Sequence, residues 1–336
     1  MNEKNTQEKF ALPQPGDKVL WIRFLTFGDV LEAAADAYNF KRRFPQARLT
    51  FLTNPEYLDF FRAQPHIDET LVGRKSPLAE WWRTFHKIRG GDYKWVVSGQ
   101  WGGKTALLAR FSRALYRIGE SSLFFKHNYH MGLSAWAHAC GFDAAARDLP
   151  SVFVPEEDLT VARALMSHLP ERRLFVLLGA GKEKKMWPTN RWIGFLRPLA
   201  DEGWGIVLNG HDLAEEAIGR QIEKAVASSN LLNLVGRLDF KKMAGAALCC
   251  RAAVGNDTGP LHLAALCGVP TLGLFSHPTS RLMGLRMPWF QELCAENWSK
   301  SKIPLKDLPV EPVAKAFKEM LGQLTEGVRP AHSTTT

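Results

Sequence analysis

The sequence predicts an α/β protein of two doubly wound domains, and three observations carry that expectation. The chain has 336 residues, more than one hydrophobic core usually serves. Short apolar runs alternate with helical patterns through both halves, the signature of βα units laid on a parallel sheet. The third observation is the stretch 249–275, CCRAAVGNDTGPLHLAALCGVPTLGLF, which reads as buried strand, polar turn, helix and second strand. An apolar fraction of 46% with 23% charged residues fits an ordinary soluble domain composition. Apolar runs all fall short of the ~20 residues a transmembrane helix needs.

The first half opens with a polar segment, MNEKNTQEKFALPQPGD, that lacks the apolar stretch of a signal peptide and reads as a loose tail on a cytoplasmic protein. Residues 18–24 (KVLWIRF) form a strand, and the turn 25–28 follows, where Gly28 lets the chain reverse tightly. Asp29 then opens the helical pattern DVLEAAADAYNFKRRF, and residues 47–52 give the next strand, completing a βαβ unit. Its first loop lies at the carboxyl edge of the sheet, where ligands gather in open α/β folds. Asp29 has two readings, a helix cap or a general base facing a cleft. A helix N-terminus favours the ionised carboxylate, which keeps it available but weakens it as a base.

Residues 93–98 read as a further strand, and GQWGGKTALLARFSRAL as a glycine-rich loop feeding a helix. Lys104 stands in that helix's first turn, where the dipole disfavours a cation unless an anion is near. It is either solvated or a partner for a phosphate on an acceptor. The segment RKSPLAEWWRTFHKIR interleaves Trp81, Trp82 and Phe85 with cations, as a packed helix or as an acceptor or membrane-surface patch. His127, His130 and His138 have no metal-site spacing.

A segment rich in Asp and Pro precedes a helix starting near Glu156, and the domain crossing is placed there. Strand 174–178 leads into GAGKEKKMWPTNRW, which fails both familiar phosphate-loop patterns. Glu183 follows Lys182 where a P-loop needs Ser or Thr, and Lys184 occupies the last glycine position of a dinucleotide fingerprint. What remains is a small-residue loop around Gly181 with Lys182, Lys184 and Lys185 beside Trp187 and Pro188. Three cations at a strand edge can neutralise a diphosphate, or form a solvated loop. Strands 205–208 and 231–235 alternate with helices 213–227 and 240–249 before the stretch already described. Asp212 and Glu215 follow a strand end, where a carboxylate can take ribose hydroxyls. In the turn 256–259, Asp257 or Thr258 caps a helix opened by Pro260, and free amides there attract phosphate. A last amphipathic pattern covers residues 310–324.

The formal charge of +9 favours an anionic partner. Basic residues are dispersed and no recognition motif occurs, so nucleic acid is not an expected partner. Five cysteines, Cys140, Cys249, Cys250, Cys267 and Cys294, show no metal spacing, and their odd number argues against a disulfide framework.

FGDVLEAAA (27–35), VVSGQWGGKTALLAR (96–110), LLGAGKEKKMWP (177–188) and LVGRLDFKKMAGAALCCRAAVGNDTGP (234–260) together resemble the heptosyltransferases of glycosyltransferase family nine. The resemblance implies a GT-B fold, two Rossmann-like domains facing a central cleft, and inverting transfer of heptose from an ADP-activated donor to a phosphorylated lipopolysaccharide inner-core glycolipid. It places the catalytic acid-base on Asp29 and the diphosphate-binding lysine on Lys185. The donor loop falls on Asp257, Thr258 and Gly259, the following histidine on His262, and the ribose carboxylate on Asp212 or Glu215. Gly181 joins the donor side, and Lys104 and Gln100 the acceptor side. The implied domains are a disordered tail (1–16), an acceptor-binding domain (17–155), a donor-binding domain (156–308), a C-terminal helix packing back toward the N-terminal domain (309–327) and a disordered tail (328–336). The chain departs from the family pattern at Glu32, where many members have His, and at Ser98, where they have Asp. No Asp-x-Asp triplet occurs, so neither metal nor cofactor is expected. Peripheral contact with the inner membrane is a further expectation. The competing readings are a transferase for another nucleotide sugar, such as a UDP-linked one, and a non-catalytic nucleotide-binding module.

Overall fold

The computed structural model describes residues 11–98, 103–119, 127–128, 135–140, 142, 151–277, 287–297 and 304–325. The chain divides into two compact units, Met1–Ala146 and Arg147–Thr336.

In the first unit, β1 (Lys18–Ile22), β2 (Arg48–Thr53), β3 (Glu69–Val72), β4 (Trp95–Ser98), β5 (Tyr116–Gly119) and β6 (His127–Asn128) form one sheet in the order β3-β2-β1-β4-β5-β6. All of these pairings are parallel. Helices α1 (Phe27–Arg43), α2 (Leu58–Arg62), α3 (Leu78–Arg89), α4 (Gly103–Phe111) and α5 (Ala135–Ala139) fill the connections. Only the first residues of β1 and β2, Lys18 and Arg48, are exposed, as expected for strands covered on both faces.

Helix α1 begins two residues earlier than its sequence pattern suggested. Thr26 is the N-cap, and Asp29 sits at the third helical position as the acidic member of a capping box. Gly28 is therefore inside the first helical turn, not in a reverse turn. Lys41, Arg42 and Arg43 close the same helix, opposite in sign to Asp29 and aligned with the dipole. Residues 13 and 16 lie inside the segment expected as a tail (1–16), yet both are held. Pro13 is buried and the Gly16 amide donates to the Gln46 carbonyl at 2.9 Å, so the chain is held before β1 begins.

In the second unit, β7 (Arg173–Leu177), β8 (Gly205–Asn209), β9 (Leu231–Asn233), β10 (Ala252–Asn256), β11 (Thr271–Phe275) and β12 (Phe290–Cys294) pair in the order β12-β11-β10-β7-β8-β9. These pairings are parallel too. Its helices are α6 (Glu156–Leu165), α7 (Thr189–Asp201), α8 (Leu213–Val226), α9 (Phe240–Leu248), α10 (Gly259–Leu266), α11 (Pro304–Asp307) and α12 (Val310–Thr325). The Ser151 and Val152 amides both donate to the carbonyl of Leu266 at the end of α10, at 2.9 and 3.2 Å, which ties the segment before α6 to this unit.

The apolar face of α12 packs within its own unit. Val313, Ala316, Phe317 and Met320 are buried in the second unit's own core, where Phe317 meets Phe195 and Trp204 edge-on or tilted at 5.6 and 5.5 Å. The helix therefore completes the core of the second unit. Aromatic pairs in such geometry add about 0.5–1.5 kcal/mol each beyond their buried area.

In each sheet the strand order reverses once, between β1 and β4 in the first and between β7 and β10 in the second. Loops leaving those strand ends diverge, and the space between them is where open α/β sheets bind ligands.

Candidate active site

The loop after β7 and the turn after β10 flank the reversal point of the second sheet, and they are tied together by Asn256. Asn256 is the last residue of β10 and fully buried, not part of the turn as its sequence context suggests. Its side-chain amide donates to the Leu178 carbonyl at 2.7 Å, and its Oδ1 accepts the Trp187 amide at 3.0 Å. Both ends of the loop 178–187 are thereby fixed to one side chain. Trp187 is itself buried, and its indole N–H donates to the Leu308 carbonyl at 2.9 Å.

Within that loop Lys185 ends a short 3-10 turn, Glu183–Lys185, and its ammonium pairs with the Asp257 carboxylate. His262, one turn into α10, approaches the other Asp257 oxygen, with Nε2 3.6 Å from Oδ1. Burial acts to raise the Asp257 carboxyl. The hydrogen bonds and charges of His262 and Lys185 outweigh it, and Asp257 lies below the ordinary carboxylate value. Thr258 is the N-cap of α10, its Oγ1 accepting the Leu261 amide at 3.4 Å. Gly259 is the first helical residue, one position before Pro260, and an amide there has no intrahelical acceptor. Lysine, a helix N-terminus and a first-turn amide without an intrahelical acceptor are features that suit an anion.

Glu215 lies under the neighbouring strand ends. A Cβ on Gly179 would stand 2.1 Å from Glu215 Oε1, and one on Gly210 2.7 Å from Oε2, so both glycines lie against the carboxylate and a side chain at either position would displace it. Burial pushes the Glu215 carboxyl above its usual range, against the amide of His211 that donates to it at 2.5 Å. Asp212 caps α8 instead, accepting the Glu215 amide at 2.8 Å. Of the two ribose candidates, Glu215 is the one packed against the loop that carries Lys185. Gly181 is exposed in that loop, with open space where a Cβ would stand.

In the first unit Asp29 takes part in the capping its sequence context allowed, and it also pairs with a cation. Oδ2 accepts the Thr26 amide at 3.2 Å and the Thr26 hydroxyl, which is capping, while Oδ1 accepts from Arg23 at 3.3 Å. The carboxylate keeps 18% of its surface exposed at the carboxyl edge of β1. Arg23 is 6% exposed and directly follows β1. Lys104 lies in the first turn of α4, where its ammonium donates to the Ser76 hydroxyl at 3.2 Å. Glu32 and Ser98, the two departures from the family pattern, are both buried. Gln100 and His130 lie outside the described residues. Cys250 and Cys267 are buried free thiols, and Cys140, Cys249 and Cys294 are half-buried. Among the described residues no cluster of three metal-ligating side chains occurs.

Sequence reasoning missed Arg23 and Asn256 as parts of the site. Arg23 was legible only as a cation at the end of an apolar strand. Asn256 was legible only as a turn residue.

A lysine and a helix N-terminus at the reversal point of a doubly wound sheet suit an enzyme that handles a phosphorylated leaving group. Residues 81–302 match the model for glycosyltransferase family 9 (heptosyltransferase), and the chain belongs to that family. Lipopolysaccharide heptosyltransferase 2 of Salmonella typhimurium is 25% identical over 289 residues, covering 77% of this chain and 82% of its own. A family 9 glycosyl transferase from Veillonella parvula superposes with a TM-score of 0.81 at 18% identity, over 92% of this chain and 99% of that one. The E. coli heptosyltransferase WaaC with ADP does so at 0.72 and 18%, over 90% and 99%. The chain is a glycosyltransferase, and its two doubly wound units are those of the GT-B fold.

Proposed function

We propose that this glycosyltransferase moves a heptose from ADP-heptose to a phosphorylated inner-core glycolipid of lipopolysaccharide, with inversion and without a metal. The cluster of Lys185, Asp257, His262 and the Gly259 amide carries the reading. Within it Lys185 and the Gly259 amide supply positive charge where a diphosphate leaving group would gather negative charge, and preorganised donors of that kind contribute most to such a step. The relatives named as lipopolysaccharide heptosyltransferases and the ADP bound to a structural neighbour support the choice of donor and acceptor.

In the proposed step an acceptor hydroxyl attacks the anomeric carbon as Asp29 takes its proton. The bond from that carbon to the β-phosphate oxygen breaks and ADP departs. Lys185 and the Gly259 amide hold the phosphates, and Glu215 takes ribose hydroxyls. The Asp257 carboxylate would repel a phosphate, so it is assigned to sugar hydroxyls and to fixing the turn. Lys104 and Gln100 are assigned to the acceptor. The absence of an Asp-x-Asp triplet in the sequence and the presence of Lys185 support a metal-independent reaction. Among the described residues no helix is long and apolar enough to cross a membrane, and transfer at the cytoplasmic face of the inner membrane is part of this reading.

Incubation with ADP-heptose and truncated inner-core acceptors, read by mass spectrometry, tests it directly. A heptose-sized mass gain on the acceptor, undiminished by EDTA, is expected; no gain on any acceptor refutes the reaction, and loss of turnover in EDTA refutes metal independence. Thermal shift with ADP, UDP and GDP separates this from another nucleotide sugar, since only the cognate nucleotide raises Tm.

A further inference from the structure

Helix α3 carries two adjacent tryptophans with opposite fates. Trp81 is buried in the first unit's core, and its indole N–H donates to the Lys104 carbonyl at 3.0 Å. Trp82 is 49% exposed. Leu78, Trp82, Phe85 and Arg89 recur at helical spacing along one face, and Leu78 at 64% exposure begins it. Trp82 meets Phe85 edge-on at 5.2 Å, and Phe85 meets Phe111 of α4 edge-on at 5.8 Å. The apolar strip therefore crosses from one helix to the next, and Phe111 is 41% exposed at its far side.

The charge around the strip is one-sided. Helices α3 and α4 together hold five Lys or Arg and one carboxylate, Glu80. The guanidinium of Arg89 lies 5.8 Å over the Phe85 ring, and Arg110 and Arg113 are exposed beside Phe111. Indole and phenyl rings set among cations on an exposed helix face match the boundary between lipid headgroups and acyl chains, where each cation is also drawn to anionic lipid. A protein partner would require complementary acidic chemistry, whereas an anionic bilayer matches both the apolar strip and the cations.

We propose that the Leu78–Trp82–Phe85–Phe111 face is a docking surface for an anionic lipid bilayer. The proposal rests on the membrane-face reading above, and its vesicle-binding readout needs neither donor nor acceptor, so its failure leaves heptosyl transfer untouched.

The test is sedimentation of the full chain with vesicles of phosphatidylcholine alone and of phosphatidylcholine mixed with phosphatidylglycerol. Binding to the mixed vesicles at low salt is expected, with at least a tenfold loss at about 1 M salt, where the screening length falls to about 3 Å. Trp82→Ser with Phe111→Ser should lose binding at least tenfold while turnover on a delipidated acceptor is retained. Arg89→Gln with Arg110→Gln should weaken binding and its salt dependence, and serves if the aromatic pair fails to fold. Absence of binding to mixed vesicles, or binding by both variants equal to the unaltered chain, overturns the proposal. So does a concentration-dependent dimer that Trp82→Ser abolishes in the absence of lipid, which would make the face an interface between copies.

Discussion

The ammonium of Lys185 is held by the carboxylate of Asp257, seventy-two residues further along the chain. A diphosphate reaches Lys185 by sharing its ammonium with that carboxylate or by exchanging with it, so the ion pair lowers the net gain from nucleotide binding. Lys185→Ala is expected to weaken ADP by about 1.5 kcal/mol, on the order of tenfold, at the low end for a charge-assisted bond because the lysine already has a partner. Asp257→Asn releases the lysine and removes a like charge, so ADP should bind more tightly while turnover falls. Calorimetric titration of both variants checks the pair, and weaker ADP binding by Asp257→Asn would contradict the exchange.

Asp29 accepts from Arg23 on one oxygen and from Thr26 on the other, which fixes its direction. Asp29→Ala is expected to reduce turnover by roughly 10²–10⁴-fold, the range for removing a general base, with ADP affinity unchanged. Loss of its cap should also cost about 1 kcal/mol of stability. Turnover that survives with only the stability loss would leave Asp29 as a cap alone.

His66 is buried against Tyr38, and burial holds its imidazole down to about 4. The unfolded chain protonates this histidine near 6.5, so it binds more protons than the native state as pH falls. Stability is therefore full above about 6.5 and lost progressively between about 6.5 and 4, by up to about 3 kcal/mol for this one group. Urea unfolding across that range should show the slope, and His66→Phe should flatten it.

Asn256→Ala removes the two bonds that clamp the loop 178–187, leaving the Trp187 amide and the Leu178 carbonyl unmatched in the interior. The expected loss is about 2–3 kcal/mol in stability. ADP affinity should fall as well, because Lys185 loses its fixed base. Unchanged ADP affinity in the folded variant would show that the clamp serves stability alone.

Strand and helix order was legible because both periodicities are strong here: β10 and β11 are continuous apolar runs, and α10 is bracketed by Thr258 and Gly268. The start of α1 was misplaced because Asp29 looks like a cap, while the true cap, Thr26, lies three residues earlier behind apolar Phe27. The partners of α12 were not legible either. An amphipathic pattern states that a face is buried, and Phe317 reveals where only once Phe195 and Trp204 stand against it. Lys185, Asp257 and His262 were named from the sequence as donor-side candidates, yet their mutual contacts were not legible there. The pairing of Lys185 with Asp257 joins two loops far apart in the chain, and no local spacing announces it.

The seating of α12 among Phe195, Trp204 and the strands of the second sheet has a practical bearing on dissecting this enzyme. A fragment ended after α11 would bare a greasy trough lined by the Trp204 indole and the Phe195 ring, and it would clump before any nucleotide could be tested on it. Excised C-terminal halves and chimaeras with related transferases should therefore carry the chain through Thr325, inheriting the last helix together with the sheet it seals.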